Sequence, residues 1–440
     1  MDRMPQPVIS DRAQSLGTEN AFVVLAEVNA LQRTGRDIIS FCIGQPDFPT
    51  PSNIQDAAVS AIRDGKHGYT PSAGIDPLRE AAAREINRMR GLTGPDAITA
   101  SDVVIGAGAK PFIAYAVLSV TDHGAGHEVI YPVPGFPIYE SQIAVHGAIP
   151  VPLYLRESRN FAFDPEELAS KITPKTRMLI LNTPHNPTGG ILTRADLDAI
   201  AEVLRKHPQV WVYADEIYSR LIYRNDDAAS DHSNDRNDRN DSDDSNDSDD
   251  HNDSDAAFDS ITQIPDMLAR TIIADGASKT WAMTGWRIGF CANRTLAPVF
   301  TRWVTNTDSC ASQISQWAAV EAINGSQEPA AAMRKSFHER RDLIVGLLNQ
   351  VAGIQCKTPG GAFYAWPNVT EACRMTGCAD SEVFRKRLLH EAGVAVLADI
   401  HFGQRVPDEG QHIRFSYAAS PDAIRAGIER ISDFVEKNRQ

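Results

Sequence analysis

An α/β fold built on a mostly parallel sheet flanked by helices, with a smaller α+β domain drawn from both chain ends, is what this sequence of 440 residues predicts. Three observations lead there. Its short apolar runs are continuous rather than alternating, as in strands covered on both faces. Segments of helical periodicity separate these runs, and that alternation argues for a parallel sheet with helices on both sides. After about residue 325 the pattern changes to a long helix, short strands and a terminal helix.

In chain order, the spacing predicts a helix over about Glu19–Thr34 and a strand over Asp37–Cys42. The turn-rich stretch that opens Ile43-Gly-Gln-Pro separates both from the sheet, so they are assigned to the smaller domain. Buried strands are expected at Asp102–Gly106, Glu128–Tyr131, Met178–Asn182, Val210–Ala214 and Thr271–Ala274. Between them, helices are expected at Pro111–Val120, Pro137–His146 and Thr193–Lys206, the last with a Thr N-cap and an acidic first turn. Beyond lie a helix over Glu328–Val351, a second over Asp380–Glu391, strands near Val394–Leu397 and His412–Tyr417, and a helix from Pro421. The expected boundaries are 48–327 for the large domain, and 1–47 with 328–440 for the small one.

The composition excludes several function classes. A net charge of −14 suggests a strongly acidic surface, yet residues 225–257 hold thirteen Asp and two Arg, a net of eleven negative charges. The remainder is close to balanced and offers no basic stripe for nucleic acid. That Asp-, Asn- and Ser-rich segment is expected to be a disordered surface insertion, because it has almost nothing apolar to bury. It has no Gly for a calcium-loop turn, so no metal is assigned to it. No apolar run approaches a membrane span, and the start Met1-Asp-Arg-Met-Pro lacks the apolar core of a secretion signal. With six scattered Cys and no CxxC pair, the expectation is a cytoplasmic protein with free thiols.

Candidate chemistry sits where strands end, the usual binding edge of such a sheet. Lys279 lies in the run Asp275-Gly-Ala-Ser-Lys-Thr-Trp, among apolar neighbours. Loss of solvation would lower its pKa toward neutrality and free the amine as nucleophile or base. Arg287, eight residues on, would stay charged and can grip a phosphate. Asp215, after the strand ending at Ala214, can hold a protonated ring nitrogen, and Tyr218 can bond a phenolic oxygen of the same ring. Asn186, presented by a turn with two Pro and two Gly, is a second donor to that oxygen. The small-residue turn Ile105-Gly-Ala-Gly-Ala-Lys exposes backbone amides suited to a phosphate. Phe136 can lie flat on an aromatic ring, and Arg414, in a half-buried strand, calls for an anion. Each has a bland alternative: a structural ion pair for the Lys, a helix cap for the Asp, core packing for the Phe.

Their joint order carries more. Asn186-Pro-Thr-Gly, Asp215-Glu-Ile-Tyr, Ser278-Lys-Thr-Trp-Ala-Met-Thr-Gly-Trp-Arg-Ile-Gly and Ile413-Arg-Phe-Ser-Tyr resemble the class I (fold-type I) pyridoxal 5′-phosphate-dependent aminotransferases, aspartate aminotransferases among them. The resemblance spans nearly the whole chain except the Asp-rich segment. It implies that Lys279 carries the cofactor and moves the substrate proton. It also implies that Asp215 pairs with the pyridine nitrogen, that Asn186 and Tyr218 bind the ring oxygen, and that Phe136 stacks on the ring. Arg287, Ser278 and the backbone at Ala109 and Lys110 would hold the phosphate, with Gly276 standing where some relatives have a phosphate-binding Ser. Tyr69 would be lent to a partner subunit's phosphate site, which implies a homodimer with shared active sites. Arg414, Asn186 and the backbone of Gly44 would take the substrate α-carboxylate.

The implied reaction passes an amino group from an L-amino acid to a 2-oxo acid, with 2-oxoglutarate the expected acceptor. Lys110 would face a distal carboxylate, which favours an aspartate-type donor. A Thr that assists in some relatives is replaced by Asn20 and Ala21. Aromatic or broad-range donors, and β-elimination on the same site, remain alternatives; a binding protein without turnover fits less well, since the whole residue set is present.

Overall fold

The computed structural model describes residues 7–14, 16–223 and 258–440, so the segment read as a disordered insertion lies outside the described residues. The strands are β1 (Ile39–Ser40), β2 (Val103–Gly106), β3 (Glu128–Val133), β4 (Ile149–Tyr154), β5 (Thr176–Asn182) and β6 (Trp211–Asp215). They are followed by β7 (Thr271–Gly276), β8 (Gly289–Ala292), β9 (Tyr364–Ala365), β10 (Val394–Ala395), β11 (Leu397–Ala398) and β12 (Ile413–Ser416). A seven-stranded sheet has the order β2-β8-β7-β6-β5-β3-β4. Only β8 runs antiparallel to its neighbours.

The continuous apolar runs have a direct cause in this sheet. Along β5, Met178 and Ile180 enter one core with Phe112, Tyr213 and Phe300. Leu179 and Leu181 enter another, with Val212, Leu197 and Ile200. Alternate side chains thus serve opposite faces, and both faces are covered. The helix Arg194–Arg205 lies on the second face, and Thr193 and Asp196 close its start as a capping box.

Three strands were not anticipated: β4, β8 and the two-residue β9. β4 contains Pro150 and Pro152, which read as turn signals; they are tolerated because β4 is at the sheet edge. β8 is four residues long and starts with Gly289, too little pattern to announce a strand.

The remaining strands form a three-stranded antiparallel sheet, β11-β12-β9, and a parallel pair, β1 with β10. The helices Glu328–Leu348 and Pro421–Lys437 pack around Phe337, Phe363, Phe415 and Ile424 in a shared core. The helix expected at Asp380–Glu391 is α-helical over Ser381–Arg387 and continues as a π-turn to Ala392, where Gly393 ends it at φ 68°. Among the described residues, no helix is long and apolar enough to cross a membrane.

A buried charge cluster ties the strand ends together. Arg90, last residue of the helix Asp76–Arg90, donates from Nε to Glu216 at 2.8 Å and lies 3.5 Å from Asp275. Glu216 also accepts from Ser260 at 2.7 Å, and Asp275 from Ser219 at 3.1 Å. Burial pushes Asp275 up to about 7 although Arg90 opposes it. Glu216 follows Asp215 directly, and Asp275 precedes the turn that carries Lys279.

Candidate active site

The registers Asn182↔Asp215 and Asp215↔Ala274 set the carboxyl ends of β5, β6 and β7 side by side. A cavity of about 460 Å³ opens at this edge. Lys279 stands on a single helical turn, Ala277–Thr280, that begins as β7 ends. Its ammonium donates to the Gly44 carbonyl at 2.5 Å and lies 5.8 Å from the rings of Tyr218 and Phe363. Loss of water pushes its pKa down to about 8; Glu19 opposes that shift, and Arg414, Arg287 and Lys110 add to it. The amine is therefore partly unprotonated near neutral pH, as a base must be.

Asp215 is buried behind the Lys. Its Oδ2 accepts a 2.6 Å hydrogen bond from Tyr139, and its Oδ1 has no hydrogen-bonding partner among the described residues. Burial lifts its pKa to about 6, and the Tyr139 bond pulls it back. A buried carboxylate oxygen left unpaired costs free energy unless a donor meets it. A protonated pyridine nitrogen is such a donor, so this residue set fits the cofactor that the resemblance implies.

The other walls are equally specific. Tyr218 and Tyr364 share a hydrogen bond of 2.7 Å between their hydroxyls. Arg414 donates to Asn186 Oδ1 at 3.0 Å and to the Cys42 carbonyl, while its Nε has no partner among the described residues. The guanidinium is flanked by Tyr364 and Phe402, 4.5 and 4.8 Å from their ring centroids. Held this way, it can offer paired donors to a carboxylate. A Cβ on Gly44 would fall 2.1 Å from the Tyr364 hydroxyl, so that close approach requires glycine.

Arg287 bends over the small-residue turn, donating to the Thr284 and Ala107 carbonyls at 2.8 and 3.2 Å. Gly108 has φ +93°, and a side chain there would collide with the Arg287 guanidinium. Ser278, Ala109 and Lys110 line the cavity with Arg287, and that group of donors can receive a phosphate. Gly276 also has a physical reason: a Cβ there would lie 2.9 Å from Gly289 Cα and 3.0 Å from the Ile288 carbonyl. Phe136 meets Tyr139 edge-to-face at 5.7 Å and carries the Lys110 ammonium 5.2 Å from its ring centroid.

Every sequence-predicted site residue except Tyr69 thus lines one cavity. Tyr69 is 90% exposed and lies outside it. Of the two residues read in place of the assisting Thr, Ala21 lines the cavity and Asn20 does not. Three others escaped the sequence reading. Tyr139, three residues after Phe136 on the same helical entry, gave a usable signal; Tyr364 and Glu19, which reaches Lys110 at 2.7 Å, gave none before their contacts were known. A larger cleft of about 680 Å³, between residues 90–98 and 262–271, holds none of these groups.

The comparisons agree with this geometry. The family model "Aminotransferase class I and II" matches residues 36–431. The aspartate aminotransferase of Geobacillus stearothermophilus is 35% identical over 97% of this chain and 99% of its own. The aspartate/prephenate aminotransferase of Cereibacter sphaeroides is 33% identical over 97% and 98%. The crystal structure of the aspartate aminotransferase from Rhizobium meliloti superposes with a TM-score of 0.85 at 30% identity, covering 99% of this chain and 100% of that one. With the cavity, these matches identify the chain as a member of the class I and II aminotransferases, enzymes dependent on pyridoxal 5′-phosphate.

Proposed function

We propose that the enzyme transfers the amino group of an aspartate-type L-amino acid to a 2-oxo acid, with 2-oxoglutarate as acceptor. The observation that carries this reading is one cavity joining a depressed-pKa lysine, a buried unpartnered carboxylate oxygen and an arginine with a free donor. Relatives named as aspartate aminotransferases support the donor class. When bound, the cofactor supplies an aldehyde that condenses with amines and a ring that draws electrons from the substrate Cα.

The chain's own residues then divide the work. Asp215 holds a proton on the ring nitrogen, while Asn186 and Tyr218 orient the ring through its oxygen. Arg414, with Asn186 and the Gly44 backbone, fixes the substrate α-carboxylate and so aims the Cα–H at Lys279. The unprotonated Lys279 amine takes that proton and returns it as a general acid. Arg287, Ser278 and the backbone at Ala109 and Lys110 anchor the phosphate, and Phe136 backs the ring. The exposed Tyr69 is read as a contribution to the partner's phosphate site in a homodimer. The domain boundaries are read as 48–327 against 1–47 with 328–440, and the location as cytoplasmic.

An amino-donor panel against 2-oxoglutarate tests the function. Aspartate should yield oxaloacetate and glutamate in equal amounts. Release of thiol, ammonia and pyruvate from a cysteine S-conjugate in the panel, without glutamate, would instead establish elimination.

Tyr139→Phe probes the Asp215 site. Losing the hydrogen bond removes a group that lowers the Asp215 pKa, which stands at about 6 with that bond in place. The anion that holds the ring proton then becomes scarcer near neutrality. We expect kcat to fall about tenfold, the size of one lost bond to a charged group, and the acid limb of its pH profile to move upward. An unchanged profile would remove Tyr139 from this role.

A further inference from the structure

The charges lining the cavity are Lys110, Lys279, Arg287 and Arg414 against Asp215 and Glu19. The reading above engages all of them except Glu19. Glu19 Oε2 accepts from the Lys110 ammonium at 2.7 Å, so the cation read as facing a substrate's distal carboxylate already has a carboxylate. Glu19 occupies the N-cap position of the helix Asn20–Arg33, yet its side chain makes no capping bond. It reaches across to the cavity instead. The two side chains are 45% and 24% exposed, and an ion pair so open to water is weak enough for a ligand to exchange.

We propose that Glu19 is a specificity-determining residue, a built-in carboxylate that competes with the distal carboxylate of the substrate for Lys110. The inference rests on the aminotransferase reading of this site. A dicarboxylic donor must displace Glu19 from Lys110 and then sit beside it, one carboxylate near another. A carboxamide side chain meets a different situation. Its carbonyl can accept from Lys110 while its N–H donates to Glu19, so the pair presents a matching donor and acceptor. Glu19 therefore moves selectivity away from dicarboxylates and toward carboxamides. A site built to bond a polar group discriminates through the partners it leaves unpaired.

The test compares the cofactor-loaded enzyme with its Glu19→Gln variant, which keeps the side-chain shape and removes the charge. The kcat/KM ratio of aspartate to asparagine should rise about fivefold, the scale of one exposed ion pair, and the change should appear in KM rather than kcat. Calorimetric titration with two unreactive analogues gives a readout without turnover. In the variant, succinate should bind about fivefold tighter, while succinamate, its monoamide, should bind no tighter. Unchanged ratios, or weaker succinate binding in the variant, would overturn the proposal. If neither protein converts any donor, the aminotransferase reading of the donor side fails, and the succinate and succinamate affinities still decide whether Glu19 competes for Lys110.

Discussion

Replacing Lys279 with alanine is expected to lower kcat by about four orders of magnitude or more, since general acid–base transfer alone contributes up to about 10⁴-fold. The lysine is assigned two tasks, holding the cofactor and moving the substrate proton, and the tyrosine and arginines around it cannot take over either. Tyr218 lies nearby, its ring centroid 5.8 Å from the ammonium, but burial holds its hydroxyl well above the ordinary tyrosine pKa. A guanidinium offers donors only and has no lone pair to take the substrate proton, so the cavity's arginines cannot serve as the base. Lys279→Arg separates charge from basicity: it preserves the positive charge and should be nearly as inactive as the alanine variant. Borohydride treatment of the loaded enzyme should fix cofactor to the wild-type protein and not to Lys279→Ala. A fixed adduct in the alanine variant would mean that another lysine carries the cofactor.

The second large effect concerns stability. Arg90→Met should destabilise the fold by about 3–5 kcal/mol, the usual cost of removing one partner from a buried charge cluster. Glu216 and Asp275 would keep their burial and lose their cation. The folded-state pKa of Asp275, already about 7, would then rise further. A folded state that binds more protons than the unfolded one loses stability as pH rises. The deficit of Arg90→Met should therefore be flat below about pH 7, the wild-type Asp275 value, and grow above it toward the raised folded-state pKa of the variant. Urea melts at pH 6 and pH 8 measure this. An equal deficit at both would show that Arg90 acts through packing rather than charge.

Much of this molecule could be read from its residues, for identifiable reasons. The strands that end at Asn182 and Asp215 are buried on both faces, so their composition announces them. Thr193 and Asp196 close a helix through bonds between residues three apart, and such local devices are visible in sequence. β4 and β8 were missed because one carries prolines that only an edge position tolerates and the other is too short for a pattern. The site residues were legible where they fall in motifs fixed by backbone geometry, as in the turn after β5. Tyr364 and Glu19 were not, because their significance lies in the partner each meets: Tyr218, 146 positions away, and Lys110, 91 away. No local pattern encodes such a meeting. The same holds for Gly276, whose lack of a side chain answers the backbone of a strand that follows it.

The parallel pairing of β1 with β10 also bears on how the enzyme is made. Ile39 meets Val394, and the residues flanking β1 bring Glu19 and Gly44 to the cavity. On the ribosome, the chain between them must emerge before that pairing can form. The seven-stranded sheet can assemble first, since its last strand ends at Ala292, whereas the mouth of the catalytic pocket is completed only when synthesis is nearly finished. A nascent chain truncated before residue 394 would lack the strand that β1 pairs with, and so the anchor that sets Glu19 and Gly44 beside the cavity.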